Sequence, residues 1–463
     1  MTRRPVHDLT RAGWAIVVAV AALYLIGLAS IYASEAAKPT PEFTRKQLVF
    51  LLGGVVLGYV ILRIGFQRIS ENAYLLFGLA LVALVPPALA RILHSDFGGY
   101  VPDIRGAHRW IVLPGFQLQP SEIMKVAYIL GLAWYLRQGD QCRTFKGLCW
   151  PLAGSAVPLV LILLEPDLGT VLLILPVLFA MLFLAGARVR HLALIAAMGV
   201  ALAPLFWLKM RPYQRLRITA VVLQSERIRA DMDANPRKYA FLNPDAGALR
   251  REARRWTRSS GWQLVSSKAA LGSGGLVGQG WGHGTYVEHS FLPDRHNDFV
   301  FALIGHQWGL AGCLIVLLGY IVIILAGAVI ATGSSDAVGR LLAAGVAVLM
   351  ATQVLINVGM CLGLMPITGM TLPFVSYGGS SLLTNFIAVA LLISVAQHRP
   401  YLFTAKPFDF DDAPLSFPPP ADPAAEDPAL DRRRRRGHHA PGSALPRGTA
   451  RRAAGPWPGK ESL

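Results

Sequence analysis

Four short polar stretches interrupt an otherwise apolar chain, and each carries residues able to do acid–base or anion chemistry. They are QPSEIMK (Gln119–Lys125), EPDLGT (Glu165–Thr170), RHNDFVF (Arg295–Phe301) and LPFVSYGGSS (Leu372–Ser381). A carboxylate such as Asp298 can act as general base, taking the proton from an attacking hydroxyl. Glu122 and Lys125 are three apart, so on a helix they share one face and can pair. Arg109, Lys125 and helix N-termini are groups that stabilise a departing anion such as a diphosphate. Two other uses fit the same residue types. Ser121, Asp167, Asp298 and Ser380 could each be an N-cap where a helix begins, and polar groups in an apolar chain could line the path of a transported lipid head group. Ionisable residues at membrane depth usually face a cavity or one another, which favours a site over caps alone.

The elements that must position these residues are membrane helices. The chain has 463 residues, 54% of them hydrophobic and only 15% charged, where a soluble domain carries roughly 25% charge. Taking about 20 apolar residues per crossing, the expected fold is an all-α polytopic membrane protein of about ten spans. They fall at 13–32, 47–63, 73–90, 121–137, 147–164, 168–186, 191–208, 299–331, 339–359 and 380–397. The first run is span-length without a small-residue cleavage site, so it reads as a span and not as a signal peptide. Short loops on one side hold Arg3, Arg4, Arg11, Arg63, Arg68, Arg137, Arg143, Lys146, Arg188, Arg190, Arg399 and Lys406, which makes that side, with both termini, cytoplasmic. One large loop, 209–298 between spans seven and eight, lies outside; loops longer than about 60 residues are exempt from the charge rule. This parity brings all four polar stretches to the outer ends of spans.

The organisation expected is a cytoplasmic N-terminus (1–12), a membrane domain (13–400) and a disordered Pro- and Arg-rich cytoplasmic tail (401–463). The net charge of +17 sits in short loops and in the tail run Arg432–Arg436, where it suits topology and anionic membrane lipids and not nucleic acid. Cys142, Cys149, Cys313 and Cys361 imply no disulfide framework. His283, His289 and His296 lack zinc-ligand spacing. His306 and Gln307 read as interior polar groups, and the glycine-dense Ala270–Gly284 permits tight turns and close approach to a ligand.

Six ordered motifs resemble those of the SEDS family of shape, elongation, division and sporulation proteins: GAHRWI (Gly106–Ile111), QPSEIMK, EPDLGT, GSGGLVGQGWGHGT, FLPDRHNDFVF and TLPFVSYGGSSLL. The resemblance spans about residues 14–400 and implies a ten-span peptidoglycan glycosyltransferase. It would polymerise lipid II at the outer face of the cytoplasmic membrane beside a class B penicillin-binding protein and elongation-complex shape proteins. It also implies an inverting reaction, in which the acceptor 4-hydroxyl attacks C1 of the donor and undecaprenyl diphosphate leaves. Asp298 matches the family's essential acid in the HxDF element, with His296 its histidine, and Glu122 and Lys125 match the family's Glu/Lys pair. Arg109, Trp110, Glu165, Asp167, Ser376, Gly378, Gly379 and Ser380 match other motif positions. No organic cofactor is implied, and a divalent cation is left open. GHGT and EPDLGT look most like the RodA elongation branch, while SYGGSSLL is shared with the FtsW and SpoVE branches. A lipid II flippase, or a scaffold that activates a partner synthase, is the alternative. Departures from the family are Asn297 for its usual Thr, GHQWG (Gly305–Gly309) for its usual EELG, the basic insertion Leu249–Gly261, and the Arg-rich tail.

Overall fold

The computed structural model describes residues 11–35, 40–104, 107–138, 140–210, 215, 218–258, 261–288 and 296–398. The tail, the first ten residues, Gly106 and the Phe291–Arg295 part of the fifth motif lie outside the described residues.

Ten long helices occupy the ten expected segments among the described residues: α1 (Arg11–Glu35), α2 (Glu42–Ile64), α4 (Ala73–Leu93), α5 (Pro120–Leu136), α6 (Phe145–Leu164), α7 (Leu168–Leu184), α8 (Val189–Lys209), α13 (Val300–Gly333), α14 (Ala337–Leu362) and α15 (Gly379–Gln397). Short helices fill the connections: α3 (Phe66–Glu71) between α2 and α4, and α9 (Glu226–Ala234), α10 (Ala246–Arg255), α11 (Trp262–Ser273) and α12 (Thr285–Glu288) between α8 and α13. Eight of the long helices are long and apolar enough to cross a membrane; α5 and α7, at 17 residues each, are shorter. A small antiparallel hairpin, β1 (Ile111–Leu113) and β2 (Phe116–Leu118), is an addition to the all-helical expectation. It turns at Gly115, whose φ of 77° suits glycine.

The helices are apolar all round, so burial and not amphipathicity separates core from lipid-facing positions. In α14 and α15, 78% of the apolar window is buried inside the protein, against 6% in α8; α14 and α15 therefore form the centre and α8 the periphery. Glycines let backbones close in, as small residues do in membrane bundles. A Cβ at Gly27 of α1 would lie 2.4 Å from the Val375 carbonyl oxygen, and one at Gly345 of α14 would lie 2.7 Å from Ile129 of α5.

Two irregular segments sit among these helices. The first is a break in α13 at Gly309 (φ 64°, ψ −158°). The glycine-rich strip repairs it: Gln279 N donates to His306 O (2.9 Å), Gly280 N to Gln307 O (3.1 Å), Leu310 N to Gly275 O (3.0 Å) and Ala311 N to Leu276 O (3.1 Å). The close approach expected of this strip is thus made to a helix backbone. The second is the stretch 368–378 between α14 and α15. Its carbonyls are met by side chains from neighbouring helices: Gln47 to Ser376 O (3.2 Å), Tyr320 to Pro373 O (2.5 Å), Gln353 to Thr371 O (2.9 Å) and Asn357 to Met370 O (2.6 Å). Non-helical backbone persists at membrane depth only where it is satisfied in this way.

The basic insertion is a surface helix. α10 buries Leu249 and Ala253, and its arginines are engaged with Asp233 (Arg254, 2.9 Å) and Asp245 (Arg251, 3.4 Å).

Candidate active site

The four polar stretches meet. Pro120 opens α5 at its first turn, where a missing N–H costs nothing, and this presents Gln119 and Ser121 to the neighbouring link. Asp167 caps α7 by accepting from Thr170 N (3.3 Å). Its carboxylate also accepts from Thr170 Oγ1 (2.8 Å), Ser121 Oγ (3.0 Å) and Gln119 Nε2 (3.2 Å). Gln119 N donates to Ser380 Oγ (3.1 Å), which joins the first turn of α15. Of the four residues that could be caps, only Asp167 is one. The caps of α5, α13 and α15 are Gln119, Phe299 and Gly378, none with a capping side-chain hydrogen bond.

Asp298 is placed through its backbone. Three successive carbonyls are gripped: His296 O by Tyr377 N (2.8 Å), Asn297 O by Ser376 Oγ (2.6 Å) and Asp298 O by Asn357 Nδ2 (2.9 Å). The His296 ring stacks on Phe43 (centroids 4.3 Å apart), with Tyr377 tilted against the same Phe43 ring (4.9 Å). A Cβ at Gly369 (φ 74°) would lie 3.5 Å from Asp298 Oδ2, so a side chain there would crowd the carboxylate.

These residues enclose a cavity of about 540 Å³. Of the residues expected at the site, Trp110, Glu122, Asp167, Asp298, Gly378, Gly379 and Ser380 line it. Arg109, Lys125, Glu165, His296 and Ser376 are not among its lining residues. Arg109 donates from Nε to Glu165 O (3.1 Å) and from Nη2 to Pro166 O, and its Nη1 is 3.8 Å from Asp167 Oδ1. Lys125 is 2% exposed and pairs with Glu122 at 2.8 Å, as their spacing predicts. The two cations expected to meet a departing diphosphate are thus engaged in the protein itself.

In the link between α6 and α7, two neighbouring carboxyls part company. Burial raises Asp167, but Arg109 and the hydrogen bonds from Thr170 and Ser121 outweigh it and hold the group below the usual carboxylate range. Glu165 is fully buried, and neither oxygen has a hydrogen-bond partner among the described residues. Burial, with the Asp167 charge adding, pushes it up to about 9 against the pull of Arg109, so it is protonated at neutral pH. Among the described residues no cluster of three His, Cys, Asp or Glu is placed to hold a metal ion.

Sequence reasoning missed Lys46, Phe43 and Phe50 on the cavity wall, and Gln47 and Asn357 behind it. Gln353 and Asn357 did carry a signal: two amides four apart in an apolar helix need partners at membrane depth.

Comparisons with known proteins give the family. A family model described as "Cell cycle protein", of FtsW, RodA and SpoVE, matches residues 8–401. The probable peptidoglycan glycosyltransferase FtsW of Trichlorobacter lovleyi is 33% identical over 82% of this chain and 92% of its own length. Peptidoglycan glycosyltransferase MrdB of Escherichia coli K12 is 33% identical over 64% of this chain and 73% of its own. Among solved structures, a chain from a peptidoglycan synthase complex that coordinates polymerization and crosslinking has a TM-score of 0.65 at 26% identity, covering 85% of this chain and 99% of that one. The rod shape determining protein RodA of Thermus thermophilus has a TM-score of 0.58 at 25% identity, covering 85% of this chain and 98% of that one. Six ordered motifs, a helical membrane fold and these matches together make the chain a member of the SEDS (FtsW/RodA/SpoVE) family, a multi-pass membrane protein and a peptidoglycan glycosyltransferase.

Proposed function

We propose that the chain polymerises lipid II at the outer face of the cytoplasmic membrane, with both termini inside and Asp298 as general base. One observation carries this reading: four motifs far apart in sequence enclose a single cavity, with the Asp298 carboxylate on its wall. The acceptor sugar hydroxyl gives its proton to Asp298 as its oxygen bonds to C1 of the donor. The C1–oxygen bond to the diphosphate breaks, inverting that carbon. Glu122 lines the same cavity paired with Lys125, and Asp167 accepts from Thr170, Ser121 and Gln119; Asp298 stands at the position of the family's essential acid, which supports it as the group that takes the proton.

The partner proposed is a class B penicillin-binding protein that cross-links the strands. The support is the likeness to a chain of a synthase complex that couples polymerization to crosslinking. GHGT and EPDLGT favour the elongation branch. Division is the second reading, because the FtsW relative is matched along more of its length than MrdB. Depletion distinguishes them: elongation predicts rounded cells, division predicts filaments.

The enzyme reading is tested by reconstituting the protein with its partner and lipid II in vesicles. Glycan polymer with release of undecaprenyl diphosphate is expected. Head-group translocation without polymer would instead make it a flippase.

A further inference from the structure

We propose that Lys46, together with the first turn of α15, binds the diphosphate of the lipid-linked donor and receives it as leaving group. This rests on the polymerase reading above and adds a residue to it. Among the described residues lining the cavity, Lys46 is the only lysine or arginine. Arg109 and Lys125, the cations that the sequence suggests for this task, do not line it and are held by backbone carbonyls and by Glu122.

Lys46 stands one helical turn before Phe50 on α2. A Cβ at Gly379 would lie 2.5 Å from the Phe50 ring, so α2 and the start of α15 form one continuous wall. That start is electropositive. Gly378, Gly379, Ser380 and Ser381 line the cavity, and the Gly378 cap brings no side chain to the orphan amides, which leaves the positive end of the helix toward an anion. The Ser380 hydroxyl is directed elsewhere, donating to Gln117 O at 2.8 Å.

The current partner of Lys46 is weak enough to be displaced. Glu42 Oε1 is 2.6 Å from Nζ, but the two side chains are 67% and 49% exposed, and exposed pairs of this kind contribute little. A diphosphate offers more charge and more acceptor oxygens than one carboxylate. Beside Lys46 the wall is apolar, with Phe50 and Phe116 tilted together at 5.8 Å and Val112 and Leu113 adjoining, which suits the first prenyl units. In the transfer, the acceptor oxygen bonds to C1 and its proton goes to Asp298. The bonding pair of the broken C1–O bond stays on the diphosphate oxygen, where the Lys46 ammonium neutralises it.

The test is equilibrium binding of undecaprenyl diphosphate, with undecaprenyl monophosphate as comparison, to the full chain in lipid nanodiscs. Lys46→Met is expected to weaken diphosphate binding about tenfold and monophosphate binding less, with an unchanged melting temperature because the side chain is half exposed. Lys46→Arg is expected to retain most of the affinity. Glu42→Gln is expected to tighten diphosphate binding by freeing the ammonium, whereas a structural role for the ion pair would make it as harmful as Lys46→Met. Wild-type affinity in Lys46→Met, or equal losses in Lys46→Met and Glu42→Gln, would overturn the assignment. Binding is read without turnover. Failure of the polymerase reading would show separately, as wild-type protein that makes no glycan.

Discussion

Position, and not identity alone, is what suits Asp298 to the role proposed for it. Its backbone is clamped on three consecutive carbonyls, and Asn357 is the clamp from the helix core, serving Asp298 O and Met370 O with one amide nitrogen. Asn357→Ala leaves Met370 O without its side-chain donor and Asp298 O with only the Cys361 thiol at 3.9 Å, at a cost of about 1–3 kcal/mol. We expect kcat to fall at least tenfold while lipid II binding changes less than twofold, measured by separate turnover and binding assays; parallel losses would mean that Asn357 merely supports folding. Lys125 and Glu122 make a buried pair, and removing one partner strands the other's charge. Lys125→Met should cost about 3–5 kcal/mol, and the double variant Glu122→Gln/Lys125→Met should recover most of it. Thermal melts in detergent check the cycle. Glu165 sets a pH dependence of known sign. Its folded value, about 9, lies above its ordinary 4.5, so its contribution to stability is fully present below about pH 4.5 and is lost as pH rises through 9. Glu165→Gln should flatten the decline in melting temperature over that window, and an unaltered slope would contradict the assignment.

At the scale of elements, two breaks in helical order do different work. The stretch before α15 carries Ser376 and Tyr377 to the Asp298 backbone, while the break at Gly309 is closed by the glycine strip from outside α13. Glycine is needed there for space as well as torsion: at Gly278 (φ 88°) a Cβ would sit 2.1 Å from Gln307 O. Gly278→Ala should therefore destabilise by about 1–3 kcal/mol, whereas Gly272→Ala, within α11 and facing open space, should be neutral or slightly stabilising. Equal melting temperatures for the two variants would refute the splice. Helix positions were legible in the sequence because hydropathy is a strong local signal, and the four motifs expected at span ends do line one cavity. The clamp's partners were not legible, although two amides four apart in α14 called for some partner. Gln47, Gln353 and Asn357 lie inside apolar runs, and the backbone that Gln47 serves is 329 residues away. Lys46 lies one residue outside the expected second span, 47–63, and no polar motif surrounds it to single it out.

Across the whole molecule, a cavity that mixes polar and apolar walls is held at one end of a bundle whose centre is α14 and α15 and whose outer helices present apolar side chains to lipid. Such an arrangement suits chemistry at one membrane face more than passage through the bilayer. The proposed topology, with this cavity at the outer face, has its own test. In a Cys149→Ser background, a cysteine in place of the exposed Lys238 should react with a membrane-impermeant maleimide in intact spheroplasts, and one in place of Arg143 should react only after lysis. The reverse pattern would invert the protein and remove the cavity from the outer face. The most direct measurement of the central claim is lipid II polymerisation by Asp298→Asn beside wild type, each reconstituted with its transpeptidase partner. The prediction is loss of glycan polymer with the melting temperature and lipid II binding retained; polymer at the wild-type rate would contradict Asp298 as the base.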